Sequence, residues 1–245
     1  MTNKKGWWNF ILPVDIDNDD DIDLVAGNLG LNSRLKASGN EPVRLYYNDF
    51  DGNGKKEQII TYYLGGKEIP FANKAELEKQ MPVLKKKFLY AEDFAKATLA
   101  ELFGSEKLSS ADVLSVDYLS NAILLNKGNL EFETTALPVE VQLSSFKDAA
   151  LINANDDDLP DILMAGNYYN NNVEMGRYDA DFGTILVNKG NGSFDCQPIN
   201  GKPVKGQVRH IRQINIGKQH AYVFARNSDS ALVVTFTEEN KDKKP

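Results

Sequence analysis

Cysteine is all but missing. Cys196 is the only one in 245 residues, so no internal disulfide framework holds this fold, and any staple must be metal or packing. Histidine is scarce as well: His210 and His220 have no Cys or His at metal-ligand spacing, and each reads as a residue on a partly exposed strand face. No Gly-x-Ser-x-Gly elbow, phosphate loop or dinucleotide fingerprint occurs, which points away from the commonest enzyme chemistries. Positive charge is in deficit. With 28 Lys and Arg against 35 Asp and Glu, the formal charge of −7 argues against a nucleic-acid or anionic-membrane partner. No apolar run approaches the eighteen or so residues of a membrane-spanning helix. Lys4-Lys5 lacks the apolar stretch of a signal peptide behind it, and Phe10–Val14 reads as a strand. The chain is therefore expected to be part of a longer protein.

What is abundant is aspartate, in short clusters. Asp15, Asp17, Asp19 and Asp23 occupy positions 1, 3, 5 and 9 of one loop, and the chain turns apolar at once as Leu24-Val25-Ala26. Four carboxylates on so short a curl repel one another unless a cation lies among them, and a hard, oxygen-seeking ion such as Ca²⁺ suits that ligand set. A second copy carries Asp49, Asp51, Asn53 and Glu57, with Gly52 and Gly54 supplying permissive backbone. A third carries Asn153, Asn155, Asp157 and Asp161. At position 7, Asp21, Lys55 and Leu159 are expected to offer backbone carbonyls. A fourth copy, Asn215-Ile216-Gly217-Lys218-Gln219, has lost its acids and is expected to bind nothing. An EF-hand needs a bidentate Glu at position 12 and flanking helices. Ala26 and Ile60 stand there instead, ahead of strand-like runs, so that reading fails. Three filled loops would bring +6 and nearly cancel the net charge.

The loops belong to a repeat. Ile123-Leu-Leu-Asn-Lys-Gly-Asn-Leu-Glu-Phe132 returns 62 residues later as Ile185-Leu-Val-Asn-Lys-Gly-Asn-Gly-Ser-Phe194, and Ile152-Asn153 returns at the same offset as Ile214-Asn215. Ala26-Gly27-Asn28 echoes as Ala165-Gly166-Asn167. Short β-type runs at 43–47, 58–63, 122–125, 161–165, 184–187, 221–225 and 232–236 lie between Gly, Asn and Asp turns. The pattern predicts an all-β fold of about four four-stranded blades, as in a β-propeller or part of a larger one. One region breaks it. Leu77, Met81, Leu84 and Phe88 form a helical stripe capped by Asn73 and kinked or divided at Pro82, and a second helix reads over 91–103 up to Gly104. Residues 67–112 are thus read as a helical insertion, and 238–245 as a frayed charged tail.

Asp-x-Asp-x-Asp/Asn-x-x-x-Asp/Glu loops feeding an apolar strand, with Leu-Leu-Asn-Lys-Gly-Asn-Gly-x-Phe segments between, resemble FG-GAP/VCBS repeats, the calcium-loop blades of integrin-α-type propellers. Gly6-Trp7-Trp8-Asn9, Gly27-Asn28-Leu29-Gly30-Leu31-Asn32 and the segments Lys87-Phe88 and Phe94-Ala95-Lys96-Ala97-Thr98 are similar to the cartilage-acidic-protein-like (ASPIC/UnbV-associated) VCBS proteins of bacterial envelopes. The similarity spans nearly all of residues 6–236. It departs from the family at the amides Asn153 and Asn155, at the fourth loop, and in lacking the Phe-Gly and Gly-Ala-Pro signatures. The resemblance implies Ca²⁺ on the loop positions named above, an extracellular or cell-envelope location, and non-enzymatic recognition or adhesion toward a protein or glycan. It leaves a polysaccharide-lyase-like or lectin-like role as the alternative, with Arg177, Arg209 and Arg212 as cations to watch. A ligand patch is expected where Tyr168 and Tyr169 open the amide-rich loop with Asn170 that runs to Arg177 and Tyr178, since rings beside amides and an Arg suit a sugar or peptide.

Overall fold

The computed structural model describes residues 4–190, 192–199, 201 and 203–236; the tail at 238–245 lies outside them. Among the described residues the chain is mostly β, in four antiparallel sheets. In chain order the strands are β1 (Phe10–Val14), β2 (Asp23–Gly27), β3 (Val43–Asn48), β4 (Glu57–Leu64), β5 (Lys67–Pro70), β6 (Asp112–Val116), β7 (Ala122–Asn126) and β8 (Phe132–Ala136). They continue as β9 (Phe146–Ile152), β10 (Asp161–Gly166), β11 (Thr184–Asn188), β12 (Phe194–Pro198), β13 (Gln207–Ile216), β14 (Gln219–Asn227) and β15 (Leu232–Thr235). The chain divides into two compact units. The larger takes Trp8–Asn32 and the described residues from Ser120 on, and the smaller takes Lys4–Trp7 and Ser33–Leu119.

The larger unit holds the sheets β1-β2-β7-β8, β9-β10-β11-β12 and β13-β14-β15. The first two are duplicates: each begins with a strand, an acidic loop and a return strand, then adds a strand ending in the repeated Asn of the Asn-Lys-Gly turn. The middle sheet is covered on both faces. Along β10, Ile162 and Met164 enter a core with Val14, Val25, Ile123, Phe146 and Leu186, while Leu163 and Ala165 enter a second core with Val208, Ile211, Tyr222 and Phe224. Side chains alternate across a strand, so two-sided cover demands an unbroken apolar run, and Ile162-Leu-Met-Ala165 supplies it. Where β9 passes β10 the backbones nearly touch. A Cβ on Gly166 would lie 2.1 Å from the Ser145 carbonyl oxygen, so the second residue of the Ala-Gly-Asn echo must be glycine. The fourth loop has become a tight hairpin, with Ile216 opposite Gln219 and Gly217 at φ 63°.

The smaller unit pairs the sheet β5-β4-β3-β6 with five short helices. These are α1 (Lys74–Gln80), α2 (Val83–Lys87), α3 (Ala91–Lys96), α4 (Leu99–Phe103) and α5 (Ser105–Ser109). They bury Leu77, Met81, Leu84, Phe94, Leu102 and Phe103 against Phe50 and Ile59. Asn73 caps α1 through the Glu76 N–H at 3.0 Å, and Pro82 divides the stripe rather than merely bending it. The single helix expected over 91–103 is two. Thr98 and Glu101 form a capping box that starts α4 afresh, a Thr-x-x-Glu signal present in the sequence. Within the 67–112 stretch, Lys67–Pro70 is strand and the helices run from Lys74 to Ser109.

Candidate functional site

Each acidic loop curls in the same way. The position-4 residue is left-handed in all three: Asn18 at φ 58°, Gly52 at 77° and Asp156 at 56°, residue types that tolerate that region. The position-5 side chain accepts the position-7 N–H throughout, from Asp21 to Asp19 (2.9 Å), Lys55 to Asn53 (2.8 Å) and Leu159 to Asp157 (2.9 Å). Position 1 gathers the turn amides: Asp15 accepts from Asp19 and Asp20, and Asp49 from Gly52, Asn53 and Gly54. Those backbone donors hold the Asp49 carboxyl below its usual range.

Two loops bring three carboxylates together. Asp15, Asp17 and Asp19 each present an oxygen, all within 4.8 Å of one another, and so do Asp49, Asp51 and Glu57. Either triad could hold a metal ion. In the first, one oxygen of Asp17 is buried without a hydrogen-bond partner. Burial, then Asp23 and Asp19, push the Asp17 pKa up, Lys127 opposes them, and Asp15 adds to the rise. The third loop forms no such triad among the described residues. Asn153, Asn155 and Asp157 are exposed there, and Asn155 donates to Asp157 at 2.6 Å.

Position 9 has a role that the spacing alone did not reveal. Asp23, Glu57 and Asp161 are all buried, and each accepts the position-2 N–H of its own loop: Ile16 at 2.9 Å, Phe50 at 2.8 Å and Ala154 at 2.7 Å. In the two duplicated sheets the other oxygen accepts the N–H of the turn asparagine, Asn126 at 2.7 Å and Asn188 at 2.8 Å. These side chains latch the loop to the third strand of its sheet. Asn188 adds bonds from its amide to the Ile16 carbonyl (2.7 Å) and the Pro160 carbonyl (3.2 Å), so the first and third loops are tied together. The repeated Asn of Asn-Lys-Gly was the available signal: its return at Asn188, 62 residues after Asn126, marks more than a turn.

The Tyr168–Phe182 loop is pinched at its base, where Tyr168 and Tyr178 exchange backbone hydrogen bonds of 2.8 and 3.0 Å. Tyr178 is buried, Tyr168 and Tyr169 are half-buried and Asn170 is exposed. The Arg177 guanidinium lies 3.7 Å from the Tyr169 ring centroid and pairs with Asp179. Asp181 closes the loop. It is 3% exposed, accepts from Gly166, Gly183 and Thr184, and burial pushes its pKa up to about 6 against those donors. His210 lies 3.5 Å from Asp148, which Arg212 also contacts at 2.8 Å, whereas His220 sits among Gln213 and Asn215; both histidines are exposed.

No protein-family model matches the chain, and no curated protein matches it either. No helix is long and apolar enough to cross a membrane among the described residues.

Proposed function

We propose that this chain is a calcium-clamped, propeller-type β scaffold of the FG-GAP/VCBS kind, acting in non-enzymatic recognition or adhesion at the cell envelope. The observation that carries the metal reading is the buried, unpartnered oxygen of Asp17 inside a triad of like charges. A bound cation removes both costs together, by filling the empty coordination direction and by neutralising the repulsion. Metal binding of this type adds its free energy to folding, because the unfolded chain has no assembled site. Meander sheets duplicated in sequence and stacked through shared cores support the blade reading.

Melting curves test it. Ca²⁺ should raise the midpoint clearly over EDTA, and more than Mg²⁺ does, since Mg²⁺ wants strict octahedral geometry. The sign of Asp17→Asn should depend on the metal. A raised folded-state pKa means the ionised side chain opposes folding above its unfolded pKa, so the amide should stabilise the chain in EDTA. In Ca²⁺ the same change should cancel much of the gain. Identical wild-type curves in EDTA and Ca²⁺ would sink the metal reading.

A second reading, a polysaccharide-lyase-like or lectin-like protein, draws on the cations gathered around Tyr168. Incubation with acidic polysaccharides distinguishes it: a new unsaturated-sugar absorbance would favour the lyase and displace the non-enzymatic reading.

A further inference from the structure

Two β-bulges in the larger unit each carry a cation. Along β9 and β10 the register runs from Ala165 opposite Asp148 to Gly166 opposite Phe146, which leaves Lys147 as the extra residue. Along β13 and β14 it runs from Val208 opposite Arg226 to His210 opposite Ala225, which leaves Arg209 extra. A bulge releases one residue from the alternation of the strand and re-aims its side chain. Both side chains arrive at the same ring: Lys147 Nζ is 5.2 Å and the Arg209 guanidinium carbon 5.4 Å from the Tyr168 centroid.

Both are held in place by neutral groups. Asn9 gives its amide N–H groups to the Asn28 carbonyl (2.9 Å), Ser145 Oγ (3.1 Å) and the Phe146 carbonyl (3.0 Å), which turns its Oδ1 toward Lys147 Nζ at 2.9 Å. Buried Gln207 accepts from both the Tyr169 N–H (2.9 Å) and Arg209 Nη2 (3.2 Å). Neither cation has a carboxylate partner among the described residues. The nearby acid, Asp148, is taken by the Ile211 N–H and Arg212. Two cations gathered at one ring without a carboxylate partner among the described residues, Lys147 half-buried, repel each other and lose hydration; an anion bound by both removes both penalties. Burial and then Arg209 lower the Lys147 pKa to about 8, in keeping with a cation short of its counter-charge.

We propose that Lys147 and Arg209, on their paired bulges beside Tyr168, form a binding site for the carboxylate of an acidic sugar. Several donors of both cations remain for carboxylate oxygens, and the half-buried Tyr168 beside them, with half-buried Tyr169 and exposed Asn170 next in the chain, offers rings and an amide to a sugar ring and its hydroxyls. The proposal rests on the recognition reading above, and names its ligand class.

Isothermal titration at low salt tests it with a galacturonate trimer, the neutral galactose trimer and sodium sulfate. The acidic trimer should bind and the neutral one should not. Lys147→Met and Arg209→Gln should each weaken binding by at least about tenfold, as truncating one member of a charged contact does. Lys147→Met removes a desolvated charge, so its melting curve should match or exceed wild type. A second readout follows the Lys147 side-chain signals by NMR. They should titrate near pH 8 in the free chain and shift upward with the acidic trimer. The groups around that amine are Asn9, Tyr168 and Arg209, with Asp148, His210 and Arg212 on the same two strands. Equal binding of both trimers, unchanged affinity in the variants, an unmoved lysine titration, or sulfate binding as tightly as the acidic trimer would each overturn the assignment. EDTA is run in parallel: if metal leaves the melting curve unmoved while the acidic trimer still binds, the calcium reading falls and this site stands.

Discussion

Replacing Asp161 by alanine tests whether the ninth loop position is a latch or chiefly a metal ligand. The side chain is fully buried, and its two oxygens accept the Ala154 N–H at 2.7 Å and the Asn188 N–H at 2.8 Å. Alanine leaves both donors without this partner, the Asn188 N–H in a buried site and the Ala154 N–H in a partly buried one. Each such group costs about 1–3 kcal/mol, so the expected loss is on the order of 4 kcal/mol. That is a large share of the stability of an ordinary domain. Asp157 in the same loop is exposed and, among the described residues, hydrogen-bonds with Asn155 and the Leu159 N–H, so Asp157→Ala should cost under about 1 kcal/mol in EDTA. Urea unfolding measures both, with a fall in midpoint at constant slope reporting stability alone. Amide hydrogen exchange adds a local readout, since Ala154 and Asn188 should lose protection in the Asp161 variant. A loss below about 1 kcal/mol in EDTA would refute the latch. So would a loss that appears only when Ca²⁺ is present.

Gly166→Ala should prevent the native packing of the middle sheet, because the added carbon meets the Ser145 carbonyl oxygen at 2.1 Å and Phe146 Cα at 2.6 Å; soluble yield and far-UV circular dichroism would show it. Asp181 should couple folding to proton uptake. Its folded pKa of about 6 lies above the unfolded value, so its contribution is fully present below about pH 4 and lost as pH rises through 6. Carboxyl NMR titration of the native chain checks the midpoint, and a value near 4 would contradict the burial argument. Thr98→Ala removes the capping box of α4 and should cost about 1 kcal/mol, whereas Thr98→Ser should restore it; urea midpoints decide.

The amino-acid sequence was sufficient wherever the determining interaction is local. Gly, Asn and Asp at the fourth loop position tolerate the left-handed backbone, the Asn-Lys-Gly turns end apolar runs, and Asn73 and Pro82 bound α1, so these elements were legible from neighbours in the chain. The offset of 62 residues likewise carried β7 and β8 onto β11 and β12, the second halves of two matching sheets. The break at Thr98 was equally local, but the continuing apolar stripe hid it. Tertiary structure alone decided which acids gather and which do other work. Nothing in the spacing separates Asp17, with its unpartnered buried oxygen, from Asp23, whose oxygens accept from Ile16 and from Asn126 more than a hundred residues away. Lys147 and Arg209 were harder still, because a bulge is a property of two paired strands, and only pairing sends both cations to Tyr168. The chain thus specifies its loops and turns through short-range conformational preference. Its latches and its cation pair exist only once distant strands have been brought into register.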